Sequence, residues 1–115
     1  MVENQHYDIY LSEDWDGRQG IVTVRPPLPR ADVYATKNTL RREMPLMRDE
    51  DDSAWTGVSA IEETRFIKTG AQPHVLPFAG AVVYEYMKSE GYDVAFDPAQ
   101  EVMRTEKGFY PSNAA

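Results

Sequence analysis

Three prolines fall within four positions in the stretch RPPLPR, Arg25 to Arg30. A proline has no N–H to give to a sheet and holds φ near about −65°, so a strand entering such a stretch cannot continue through it as a central strand. The β-branched run Ile21 to Val24 just before it is therefore expected to end there, and residues 26–29 to run on as polyproline II. Upstream, Tyr7, Ile9 and Leu11 alternate on one side of a run that Asp14 to Gly20 separates from Ile21. This pattern predicts a hairpin, two strands joined by a turn.

The proline segment admits three readings. Pro26 and Pro29 have PxxP spacing, and PPLP resembles the core of a ligand for WW modules, which bind polyproline II. The same stiffness suits a connector between two elements. It also suits an arm that leaves its own domain and lies on a neighbouring subunit, since a preorganised segment loses less entropy on docking.

Beyond the prolines, Val33, Leu40, Met44 and Met47 share one helical face, predicting a helix near 32–44 with Asp32 as its cap. Asp49 to Asp52 are four consecutive acids that predict a solvated loop. WTGVSAIEETRFIKTG reads as one or two strands closed by Gly70, with the neighbours Glu62 and Glu63 facing opposite ways. The strongest helical signal spans about 78–90, with Pro77 suited to the first turn and Gly91 to the position after the last. Val83 and Tyr84 make the side opposite Phe78, Ala81 and Val82 apolar as well, so the helix is expected to be covered over most of its circumference. Tyr92, Val94 and Phe96 alternate as a strand, and Asp97 with Gln100 forms a D-x-x-Q capping box that predicts a short helix to about Lys107.

The net charge of −7 is unevenly spread. Residues 1–24 hold five acids and one base, residues 25–48 six bases and two acids, and residues 49–115 twelve acids and five bases. Direct nucleic-acid binding is not expected, because phosphate neutralisation needs a surplus of Lys and Arg. The basic band of Arg25, Arg30, Lys37, Arg41, Arg42 and Arg48 either pairs with acids of the same molecule or docks on the acidic face of another copy. Trp15 and Trp55 both fall in predicted loops, where a tryptophan covers the core or meets a partner.

Catalytic signatures are sparse. With no cysteine, disulfides, thiolate metal sites and cysteine nucleophiles are excluded. The Asp14/Asp16/Gly17 turn lacks the glutamate that a calcium loop needs at its twelfth position. His74, in QPHVLP before the long helix, is the one histidine placed to form an acid–base pair, with Glu85 or Asp93. Glu85 stands between two tyrosines, where desolvation would raise its pKa unless it faces water or pairs with Lys88.

With 42% apolar and 27% charged residues, the chain has enough core material to fold without a metal or cofactor. It has neither a signal-peptide pattern nor a membrane-length apolar run. The expectation is one α+β domain over residues 1–110, with a proline-rich connector or arm at 25–30 and a loose tail at 111–115. A small, mostly antiparallel sheet of four or five strands packs on the central helix, with one or two more short helices.

The first functional expectation is a non-enzymatic contact or structural subunit of a larger assembly, with a protein partner that includes copies of itself. Its interface residues are Arg25, Pro26, Pro27, Leu28, Pro29, Arg30, Arg41, Arg42, Trp15 and Trp55. It is expected to be soluble, in the cytoplasm or a particle assembled there. One alternative is an acidic inhibitor that mimics nucleic acid through Asp49 to Asp52, Glu62 and Glu63. The other is a small hydrolase centred on His74 and Glu85.

Overall fold

The computed structural model describes residues 5–14, 19–44 and 55–104. Among them the strands are β1 (His6–Glu13), β2 (Gln19–Arg25), β3 (Thr56–Ser59), β4 (Thr64–Thr69), β5 (Asp93–Phe96) and β6 (Met103–Arg104). Helix α1 (Arg30–Glu43) lies between β2 and β3, and α2 (Leu76–Ser89) follows β4 after a 3-10 turn at Pro73–Val75. The fold is α+β. The sheet order is β3-β4-β2-β1-β5, with β6 also pairing with β1.

The sheet is mixed, and more parallel than its short strands suggest. β1 with β2, β2 with β4 and β3 with β4 are antiparallel, whereas β5 and β6 both run parallel to β1. The reason is the crossover: parallel strands need a long connection, and α2 carries the chain from β4 over β2 and β1 to the far edge. β2 lies inside the sheet, and its residues Gly20 to Val24 are buried, as a continuous β-branched run on an interior strand requires.

One buried cluster joins sheet to helices. Tyr7, Ile9 and Leu11 of β1, Val22 and Val24 of β2, and Phe66 of β4 meet Val33 and Leu40 of α1 and Leu76, Ala79, Val83 and Met87 of α2. The register sets Ile9 beside Val24 and Leu11 beside Val22, which in turn adjoins Phe66. Two glycines allow the helices to come this close. A Cβ on Gly80 would lie 2.5 Å from the Phe96 ring, and one on Gly57 would lie 2.8 Å from Val33 Cγ1.

The ends of α2 have local causes. Pro77 occupies its first turn. At the other end Gly91 has φ +92°, Gly91 N–H donates to Lys88 O (3.0 Å) and Tyr92 N–H to Met87 O (3.0 Å). These bonds form a Schellman stop that only glycine enters cheaply. α1 begins two residues earlier than its sequence pattern indicates. Pro29 O accepts from Asp32 N–H and Val33 N–H, and no side chain caps the helix. Asp32 therefore lies in the first turn, where its carboxylate serves two tyrosines instead.

The helix expected from the Asp97–Gln100 capping box does not form within the described residues. Residues 97–100 make a turn and β6 follows. Asp97 Oδ1 accepts from Ala99 N–H (2.9 Å), while the Gln100 amide turns to β1. Gln100 Oε1 accepts from Leu11 N–H (2.7 Å) and its Nε2 donates to Ile9 O (3.1 Å). β5 pairs with β1 as far as Ile9 and β6 resumes at Ser12, so this one side chain supplies the missing strand backbone between them. The residues after Arg104, including the expected tail at 111–115, lie outside the described residues.

Candidate functional site

The proline segment joins β2 to α1 and is fastened to its own sheet. The Arg25–Pro26 peptide bond is cis, Pro26 and Pro27 are half-buried, and Leu28 is buried with its N–H donated to Thr64 Oγ1 at 2.9 Å. Pro29 and Arg30 are exposed. Arg25 donates from Nε to Glu63 Oε1 at 2.7 Å and stands 5.4 Å from the Tyr10 ring centroid, and Arg65 holds the other Glu63 oxygen. Burial alone would push the Glu63 carboxyl up, but the hydrogen bonds from Arg25 and Arg65 prevail and hold it below the ordinary carboxylate range. Leu28 and Arg25 thus spend their contacts inside the molecule.

The remaining sequence candidates disperse. Trp55 is 2% exposed and sits in the core, its carbonyl accepting from Arg41 Nε at 2.9 Å. Trp15, Arg48 and Asp49 to Asp52 lie outside the described residues. Glu62 and Glu63 stand in the 60–63 turn rather than in a strand, one exposed and the other sealed between two arginines. His74 is exposed in the 3-10 turn and shares no hydrogen bond with Glu85, which lies nine helical residues, roughly 13 Å of rise, beyond Leu76. Among the described residues no group of three or more His, Asp or Glu could hold a metal ion, and no helix is long and apolar enough to cross a membrane.

Two polar clusters tie elements together. Asp32 of α1 accepts from Tyr86 Oη of α2 at 3.2 Å and from the Tyr92 hydroxyl, with Tyr7 edge-on to Tyr92 at 5.1 Å. Burial first and the Asp32 charge second push the Tyr86 hydroxyl up to about 12, and they raise Tyr92 as well. Both phenols stay protonated donors at neutral pH. At the β1–β5 edge, exposed His6 reaches Asp93 from Nδ1 and Asp8 from Nε2, each at 3.2 Å. The two carboxylates lie against opposite ring nitrogens, an arrangement suited to an imidazolium and not to gathering ligands around one ion.

The feature that gathers chemistry is an open groove of about 1070 Å³ between the outward sides of α1 and α2. α2 contributes Phe78, Ala81 and Val82, and Met44 stands at the end of α1. Arg42 and its ion-pair neighbour Glu43 (3.8 Å) on the α1 side and Glu85 on the α2 side carry the charge. Phe78 is 66% exposed and leaves an uncovered apolar patch on α2, while most of the remaining circumference is buried or half-buried, as its composition leads one to expect. The opposite side of α2 fills the core with Leu76, Ala79, Gly80, Val83 and Met87. Spacings of three, four and seven from Phe78 give Ala81, Val82 and Glu85 the same outward face. That second apolar side was the sequence signal for the groove, but its exposure depends on where α1 lies.

In comparison with known proteins, the chain matches no family model, no curated protein and no solved structure.

Proposed function

We propose that this chain is a non-enzymatic protein-contact subunit that meets its partner through the groove between α1 and α2. The observation that carries the reading is Phe78, a large apolar side chain left 66% exposed beside a hollow lined by further apolar groups. Contiguous exposed apolar surface rimmed by polar groups is characteristic of protein interaction sites. Arg42 extends the interface into the basic band, so part of the charge asymmetry serves the same surface. The proline segment supports the groove indirectly by setting where α1 begins. A partner bearing phosphates is disfavoured by the net charge of −7, and we place the protein in the cytoplasm or in a particle assembled there.

The alternatives have weaker support. Glu63 is engaged by two arginines and cannot offer a phosphate-like charge, and His74 and Glu85 form no acid–base pair. The contact reading is tested by replacing Phe78 with a photo-reactive phenylalanine in native cells. A defined protein adduct is expected at position 78, suppressed by Val82→Asp and missing when the label replaces Ile61. Failure to form an adduct at position 78 overturns the reading.

A further inference from the structure

The part of the basic band that the groove does not use lies on the other flank of α1. At 3.6 residues per turn, Arg30, Tyr34, Lys37 and Arg41 fall within roughly 60° of one another around the helix, away from Asp32 and Thr39, which face α2. Arg30 and Arg41 are exposed and Lys37 is half-buried. Tyr34 is 62% exposed, with Lys37 Nζ 4.6 Å from its ring centroid. Among the described residues none of these three cations forms an ion pair.

This flank stands beside β3, the outer strand of the sheet. Arg41 Nε donates to Trp55 O at one end, and Leu28 N–H donates at the other to Thr64 Oγ1, opposite Ser59, so α1 and β3 run side by side in opposite directions. Ala60 N–H donates to Glu63 O across the hairpin, and the alternation of an antiparallel ladder then turns the backbone of Thr56 and Val58 toward β4 and that of Gly57 and Ser59 away from it. Trp55 continues the outward set, and its carbonyl is the one that Arg41 takes. The N–H and C=O groups of Gly57 and Ser59 meet no further strand among the described residues. An open edge of this kind is a template for another chain.

We propose that this edge takes an extended acidic segment of a partner protein as a further strand, its carboxylates set against Arg30, Lys37 and Arg41. Gly57 and Ser59 exchange backbone hydrogen bonds with it, as in recognition by strand addition. Side chains on one face of a strand recur about every 7 Å, so alternate acids can follow the row of cations. A nucleic acid matches this surface less well, since it has no peptide groups for the edge and its phosphates would run on past α1 into a chain of net charge −7. The site is separate from the groove and does not depend on Phe78.

Fluorescence anisotropy of the full chain with a labelled peptide of alternating Glu and Thr, from about 1 µM to about 1 mM, tests this. Saturable binding is expected, weakened about tenfold by Arg30→Glu or by Lys37→Glu and unchanged by Phe78→Ser. Two further peptides, N-methylated at every Glu or at every Thr, separate edge pairing from charge attraction, and at least one of them binds about tenfold more weakly. On saturation with the parent peptide, amide exchange slows at Gly57 and Ser59 and changes little at Thr56 and Val58, which already pair with β4. Circular dichroism shows whether each variant is folded, and the N-methyl comparison decides the matter even if a variant unfolds, because it leaves the protein unaltered. No binding, equal binding of both N-methylated peptides, or unchanged exchange at Gly57 and Ser59 each overturns the proposal. So does an oligothymidylate that competes as well as the peptide, which reduces the effect to counterion attraction. Binding that appears only when Asp49 to Asp52 are replaced by Asn also overturns it and gives the edge to the chain's own acidic run.

Discussion

Glu63 concentrates several forces on one side chain. Its carboxylate is almost buried, yet two guanidinium groups reach it, and the Arg25 half of that contact anchors the end of β2 just before the chain turns through the prolines. Replacing it by Gln removes the charge while keeping the shape, and loss of the charge-assisted bonds should cost about 1–3 kcal/mol in urea unfolding. Because the folded carboxyl lies below its ordinary value, its contribution is present above the unfolded-state pKa and is lost as pH falls through the folded one. His6 behaves in the opposite sense. The Asp93 hydrogen bond, opposed in part by burial and reinforced by Asp8, raises the imidazole above 6.5. Its contribution is therefore full below the unfolded value and disappears as pH rises through the folded one. An NMR titration should find His6 above its ordinary value, with Asp93→Asn returning it toward that value.

At the scale of elements, Gln100 and Gly91 do the work of backbone. The Gln100 amide satisfies the Leu11 N–H and the Ile9 carbonyl between two short parallel strands. Gln100→Ala leaves both without that partner, and a loss of about 1–3 kcal/mol is expected, with faster amide exchange at Leu11 than at Val22 as its local signature. The Gly91 position is open, and a Cβ there would meet nothing within 4 Å, so Gly91→Ala tests backbone strain at φ +92° alone and should cost about 1 kcal/mol. Gly80→Ala tests the reverse. Its helical backbone tolerates alanine, but the methyl would meet the Phe96 ring at 2.5 Å, and overpacking of this kind costs about 1–3 kcal/mol. Thermal and urea unfolding separate the cases, since Phe96 trimmed to Leu should relieve Gly80→Ala and not Gly91→Ala.

For the whole molecule, one long crossover decides the architecture. α2 spans β2 and β1, fills the core with one side and leaves the other to line a groove with α1. Asp32, Tyr86 and Tyr92 lash α1, the end of α2 and the approach to β5 into one unit, so the groove has walls held at a set separation.

The parts of this protein that could be read from its letters are those with local causes. Alternation placed β1, a β-branched run ended by prolines placed β2, and Pro77 with Gly91 bracketed α2 to within two residues, because each signal acts within a few positions of the backbone it governs. The long-range assignments were not legible. Gln100 looked like a cap because its real partners are about ninety residues away, at Ile9 and Leu11. Leu28 and Trp55 looked available for contact, and folding buried both. Whether the second apolar side of α2 faces core or solvent depends on where α1 packs, which is settled by closure of the sheet and helices around one core and not by any local pattern.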